Sequence, residues 1–363
     1  MKATTDYQRE TFIVKGYGAT KKGASLKEME IERPTPLGQD VRIEVLYCGV
    51  CHSDVHQVDD DWSNTRYPCV PGHEIIGRVK EIGKGVSKFD IGDLVGVGCM
   101  IDSCQECKSC KAGEEQFCTG PHGQTMTYNG YFKDPKSDYN TFGGYSTEIT
   151  AKEDFVLKIP SGLDESKAAP ILCAGITTYS PLKHWGVKKG DHVGIIGIGG
   201  LGHMAVLIAK AMGAKVTAIT TRKDKKKDAL ELGADDVLIS EDEKAMEAHA
   251  LSFDFLLCTI PEEFDINPYI KLLSPRGSIV TVGLLGPYKS PTNNMEVAQY
   301  ARSVGASIIG GIAETQEVLD FCAKHNIHPE VEMIKMKDIN KAFKKMLKEQ
   351  VRFRYVIDMQ SLK

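Results

Sequence analysis

Between His192 and Thr220 the chain reads as strand, glycine-rich turn, helix and strand, an order that few folds accept. His192 to Ile198 is an apolar run expected as a buried strand, and Gly197-Ile198-Gly199-Gly200-Leu201-Gly202 overlaps its end. A helix is expected from Leu201 to about Met212, stopped at Gly213, with Lys215 to Thr220 as the next strand. The glycine pattern alone is weak. Inside a βαβ unit it marks a dinucleotide site, because glycines let the backbone approach a pyrophosphate whose charge the helix N-terminus favours. Gly197, Gly199, Gly200, Leu201 and Gly202 are therefore expected cofactor contacts. Val193 to Ala209 has His203 as its only strongly polar residue, but its five glycines and short length disfavour a membrane span. Further strands are expected at 237–239, 253–259, 278–283 and 307–311, which makes six, the count of a full dinucleotide-binding sheet.

The end of the second strand selects the cofactor. A carboxylate there would hydrogen-bond the ribose hydroxyls of NAD. This chain has Thr220-Thr221-Arg222-Lys223-Asp224-Lys225-Lys226-Lys227, whose hydroxyls and cations suit a 2′-phosphate. Some of these lysines also fit a solvated helix start. NADP(H) is the expected cofactor.

With 363 residues the chain is long enough for two domains with separate cores. Its 45 Lys and Arg against 49 Asp and Glu, a net charge of −4, argue against a nucleic-acid or anionic-membrane partner. Met1 to Glu10 carries charges and no apolar core, so no secretory leader is expected. Eleven cysteines without a leader, several at metal-ligand spacing, are expected as thiols in a reducing cytoplasm.

Upstream of the glycine motif the chain reads as strands and turns that carry metal-binding side chains. Asp40 to Tyr47 alternates polar and apolar residues, as a half-buried strand does. Cys48 reads as a small buried hydrophobe, or with Cys51 as a redox pair or zinc-knuckle arm. Cys51 and His73 carry donors that Zn²⁺ prefers. Cys173 is either a buried structural thiol or the third donor, just inside a helical stretch expected to start at Asp164. Three protein donors and one open position describe a catalytic zinc, and Cys173 would put it at a domain junction, where clefts form. Asp54 is close enough in sequence to orient a ligand histidine. Ser53 and His56 form a candidate proton path to solvent, with Asp61 receiving the proton or orienting His56. Glu74 is a surface or supporting carboxylate, or a ligand while the open position is empty.

Cys104-x2-Cys107-x2-Cys110-x7-Cys118 is a stronger signal. Four thiolates within one small radius fit a closed structural zinc; an iron–sulfur cluster and a nucleic-acid-binding zinc ribbon are the rivals. Residues 121–141 read as a long polar loop, and a strand-like run follows from Gly143 to Pro160. Helices are expected at 314–326 and 339–347, and 354–359 as a final strand returning to the first domain.

Together with Gly72-His73-Glu74, Leu172-Cys173-Ala174-Gly175 and the closing Arg352-Phe353-Arg354-Tyr355-Val356-Ile357-Asp358, these motifs resemble the zinc-dependent medium-chain alcohol dehydrogenases. The resemblance is greatest to the cinnamyl alcohol dehydrogenase branch and its microbial NADP-dependent aldehyde reductases. It runs from about residue 12 to the end, with 121–141 the poorest fit. It implies an α/β chain: a mainly β, GroES-like catalytic domain over 1–163 with a zinc lobe at 99–120, a Rossmann domain over 164–311, and a return segment over 312–363. It implies Cys51, His73 and Cys173 as catalytic zinc ligands, with Glu74 able to join them, and Cys104, Cys107, Cys110 and Cys118 around a second, structural zinc. Ser53 and His56 would relay a proton through the nicotinamide ribose, ending near Asp61, and Asp54 would orient His73. Trp62 and Cys99 would line the substrate pocket, while Thr220, Thr221, Arg222 and Lys225 would bind the 2′-phosphate. The implied partners are a small alcohol or aldehyde and a second copy of the chain, with neither nucleic acid nor membrane.

The implied reaction is hydride transfer between NADPH and a zinc-polarised aldehyde. Zinc lowers the pKa of bound water from about 16 to about 7. A similar shift on an alcohol, about nine units at about 1.36 kcal/mol each, is about 12 kcal/mol. A single oxyanion donor is worth about 3–4 kcal/mol, so the metal and not Ser53 would be the main electrostatic agent. A polyol or formaldehyde dehydrogenase of the same architecture, and a non-catalytic zinc-ribbon module, are the alternatives.

Overall fold

The structure, a computed structural model, describes residues 10–130, 140–283, 286–348 and 351–362. Residues 131–139 of the expected loop, and most of the Met1 to Glu10 stretch, lie outside the described residues. The chain forms two compact units, Ala174–Gly310 and Met1–Cys173 with Gly311–Lys363. Among the described residues no helix is long and apolar enough to cross a membrane.

Ala174–Gly310 is built on a six-stranded sheet in the order Asp236–Ile239, Lys215–Thr220, His192–Ile196, Phe253–Cys258, Leu273–Thr281, Ser303–Ala306. Every pairing is parallel. This is the doubly wound order, in which sequence direction reverses beside the first strand. His192–Ile196 is central there, and its Val193, Ile195 and Ile196 are buried, as a strand covered on both faces requires. Helix Gly200–Ala211 follows so closely that a Cβ on Gly202 would lie 1.9 Å from the Gly197 carbonyl oxygen. Only glycine permits that approach. The sixth strand is Ser303–Ala306 and not 307–311. The Ile308-Ile309 pair drew the expectation downstream, but Ile309 has φ +36°, which ends the extended run.

The other unit is organised around the strand Asp40–Val50. Ile75–Ile82 pairs with it antiparallel along one edge. Two antiparallel strands share the opposite edge: Glu148–Lys152 faces Asp40 to Glu44, and Arg354–Asp358 faces Tyr47 to Val50. Leu94–Val97, Leu157–Lys158 and Val331–Lys335 complete a seven-stranded sheet. Val41, Ile43 and Val45 alternate into the core between half-buried Arg42 and Glu44.

Two expectations fail locally. The run from Gly143 to Pro160 is not one strand: a 3-10 turn, Glu153–Phe155, breaks it, and the buried Glu153 carboxylate accepts the Ser87 and Lys88 N–H groups. Nor does an α-helix start at Asp164. Ala169–Leu172 is a 3-10 turn and the α-helix is Ala174–His184. Pro170 lacks an N–H and disfavours helical geometry at the residue before it. Helices Ile312–Lys324 and Ile339–Leu347 lie at the expected places.

Candidate metal centres and cofactor site

Cys51 closes the long strand and caps helix His52–Val58, with its N–H donating to Asp54 Oδ2 at 2.9 Å. His73 lies on the approach to Ile75–Ile82, and Cys173 sits between the 3-10 turn and helix Ala174–His184. Three stretches distant in sequence thus meet. One ligand atom from each of Cys51, His73, Glu74 and Cys173 lies within 4.8 Å of the others, and all four residues are buried. His73 Nε2 is 3.2 Å from Cys173 Sγ. Hydrogen bonding from the Cys173 thiol outweighs burial and holds Cys51 well below the ordinary thiol range. Two soft sulfurs and an imidazole suit zinc. Glu74 Oε2 is buried without a hydrogen-bond partner, a costly arrangement that a cation within reach would relieve. The donor set fits the expected metal.

Behind the donors is a buried network. Asp54 is fully buried and its Oδ1 lies 3.2 Å from His73 Nδ1. With Nδ1–H donating to this carboxylate, Nε2 presents its lone pair toward Cys173. Asp54 also accepts the Gly72 N–H at 3.1 Å and the Tyr145 hydroxyl at 3.1 Å. The Tyr128 ring packs 5.5 Å from that of His73. Arg354 was not singled out by sequence. It pairs with Glu74 Oε1, and both groups are out of water. The available signal was one cation opening the strand Arg354–Asp358, ahead of its apolar Tyr355, Val356 and Ile357.

Ser53 Oγ lies 3.6 Å from Cys51 Sγ. Ser53 and His56 are one turn apart and share a helix face. His56 Nδ1 is 2.8 Å from Asp61 Oδ2, and Nε2 is buried without a partner. Asp61 is exposed, so the His56–Asp61 pair reaches solvent. The Trp62 ring lies tilted against His56, with centroids 5.9 Å apart and planes at 60°. Cys99 is buried beside Cys173, whose hydrogen bond holds its thiol below the ordinary value.

Cys104, Cys107, Cys110 and Cys118 form the second cluster, again with sulfurs within 4.8 Å of one another. Backbone N–H groups point at the sulfurs: Cys107 N to Cys104 Sγ at 3.3 Å, Cys104 N and Gly120 N to Cys118 Sγ at 3.4 Å. Donation from the N–H groups of Cys110 and Thr119 holds Cys107 at about 5, in the thiolate form a metal requires. Four sulfurs and no other donor describe a closed site.

In the parallel-sheet unit, a Cβ on Gly199 would meet nothing within 4 Å, so the backbone before helix Gly200–Ala211 is open to close approach. Leu201 and Gly202 lie in its first turn, where N–H groups have no intrahelical acceptor. Thr220 ends the second strand and its Oγ1 accepts the Arg222 N–H at 3.1 Å. Thr221 is exposed beside it. The Arg222 guanidinium lies on Asp224, with Nε 3.1 Å from Oδ1, and Lys225 lies 3.4 Å from Asp228. The Arg222–Asp224 pair is exposed, and such pairs contribute little to stability.

Two family profiles match the chain: Alcohol dehydrogenase GroES-like domain over residues 38–161, and Zinc-binding dehydrogenase over residues 200–324. Aldehyde reductase YahK of Escherichia coli (strain K12) is 47% identical over 351 residues, covering 96% of this chain and 99% of that one. A cinnamyl alcohol dehydrogenase structure from Sorghum bicolor superposes with a TM-score of 0.91 at 38% identity, over 96% of this chain and 98% of that one. The crystal structure of CAD from Helicobacter pylori complexed with NADP(H) has a TM-score of 0.88 at 42% identity, over 97% and 99%.

Proposed function

We propose, from the premise that this chain belongs to the zinc-dependent medium-chain alcohol dehydrogenases, in the branch of cinnamyl alcohol dehydrogenases and aldehyde reductases, that it is an NADPH-dependent reductase of aromatic and aliphatic aldehydes. Cys51, His73 and Cys173 would hold one zinc, with Glu74 in reach, and Cys104, Cys107, Cys110 and Cys118 a second. The first zinc, when bound, supplies Lewis-acid polarisation of the carbonyl oxygen. NADPH, when bound, supplies the hydride.

The chain's own residues do the rest. Asp54 fixes the tautomer and aim of His73. Ser53 Oγ hands a proton to the product oxygen, and His56 replaces it from the solvent end while Asp61 holds Nδ1. Trp62 and Cys99 shape the pocket for the carbonyl compound. Gly197, Gly199, Gly200, Leu201 and Gly202 carry the pyrophosphate, and Thr220, Thr221, Arg222 and Lys225 the 2′-phosphate. The chain works as a homodimer in a reducing compartment. The observation that carries this reading is the meeting of Cys51, His73 and Cys173 with a buried Asp54 behind the imidazole.

Its test is NADPH consumption with a panel of aromatic and aliphatic aldehydes, with NADH as the parallel arm. NADPH should be consumed and a zinc chelator should stop the reaction. Arg222→Asp should weaken NADPH binding at least about tenfold and leave NADH unchanged. Equal use of NADH, or no consumption with any aldehyde, contradicts the proposal.

A further inference from the structure

We infer that Tyr145 is a positioning residue for the metal-ligating imidazole and acts through the Asp54 carboxylate; the inference rests on the proposed role of His73 as a ligand. A carboxylate offers two oxygens and about four acceptor directions. Asp54 Oδ1 takes the Gly72 N–H at 3.1 Å and His73 Nδ1 at 3.2 Å. Oδ2 takes the Cys51 N–H at 2.9 Å and the Tyr145 hydroxyl at 3.1 Å. Gly72 and Cys51 contribute backbone donors from the two segments that also carry the ligands. Tyr145 contributes a side-chain donor from a third segment, and with the Tyr128 hydroxyl, which also hydrogen-bonds Asp54, fixes the plane of the carboxylate. Without it Oδ2 keeps one of these two donors, and the carboxylate is freer to turn about Cβ–Cγ. Such a turn carries Oδ1 away from the imidazole.

Tyr145 also braces the loop that presents His73. Its N–H donates to the Pro71 carbonyl at 3.0 Å, and the Gly144 N–H to Gly72 at 2.8 Å. Its ring lies so near that a Cβ on Gly72 would stand 2.7 Å from Tyr145 Cδ1. The segment behind is itself anchored. The buried Arg33 guanidinium donates to the carbonyls of Phe142, Gly143 and Glu148 and to Ser146 Oγ. Tyr145 is fully buried, which leaves it no route to direct contact with a substrate. Its hydroxyl therefore acts on the site through the carboxylate it touches.

Tyr145→Phe keeps the ring and removes one oxygen. The measurement is zinc release to a colorimetric chelator, resolved in time for the two ions, on the full-length protein. The wild type is read first: it should hold both ions. Tyr145→Phe should release the ion of the Cys51–His73–Cys173 set about tenfold faster, while the four-cysteine ion, the internal reference, leaves at the wild-type rate. In an Asp54→Asn background the same substitution should have no further effect, because the two changes remove one coupled unit. The cobalt-loaded Tyr145→Phe protein should show a shifted visible absorption band. An unchanged release rate overturns the inference, as does faster release of both ions together, or a full additional effect on top of Asp54→Asn. If the wild type holds only the four-cysteine ion, the ligand set fails and the inference with it; if it holds both, the inference alone is at stake.

Discussion

Glu74 and Arg354 face each other with almost no water contact, at 0% and 4% exposure. Burial raises the Glu74 carboxyl against the pull of Arg354, which is the largest influence favouring the charged form. Removing one partner of a buried pair leaves an uncompensated charge and costs about 3–5 kcal/mol. Arg354→Met should lower the unfolding free energy by about that amount in urea titration, and adding Glu74→Gln should restore much of it. A loss within about 0.5 kcal/mol, the range of ordinary surface changes, would show that the pair does not hold the interior as described. The pair also marks what was legible at this scale. Cys51, Ser53, Asp54 and His56 fall within one short helix and its cap, so their spacing alone suggests a shared purpose. Arg354 is 280 positions from Glu74, and no local pattern joins them. Tyr145, 91 positions from Asp54, was invisible for the same reason.

The strand–turn–helix unit at 192–211 was readable because its requirements are local: an apolar strand, glycines at the turn, an apolar helix face. Gly202→Ala puts a methyl against the Gly197 carbonyl, and backbone cannot swing aside as a side chain can. The helix must move off the strand. We expect a loss of about 1–3 kcal/mol in stability and at least about tenfold weaker NADPH binding, read by urea unfolding and fluorescence titration. Unaltered binding would mean the turn is not where the pyrophosphate lies. Elements set by tertiary partners were read less well. Ser303–Ala306 is a strand because it pairs in register with Ser278 to Thr281, and the more apolar residues just after it do not. The Gly143 to Pro160 run looked continuous because its break depends on Glu153 reaching the N–H groups of Ser87 and Lys88.

At the scale of the whole molecule, the described residues gather two candidate metal-donor sets. The four-cysteine cluster is closed, drawn from fifteen consecutive residues and built on N–H···S contacts. The Cys51–His73–Cys173 set is gathered from distant segments and backed by Asp54 and Glu74. The first suits holding a lobe in shape, the second suits chemistry. The most direct test is zinc content against activity in purified protein as a chelator is added stepwise. The account predicts two zinc ions per subunit at full activity, one for each set, with turnover falling in proportion to loss of the first ion while the four-cysteine ion stays bound. Full turnover in protein that retains only the four-cysteine ion would contradict it.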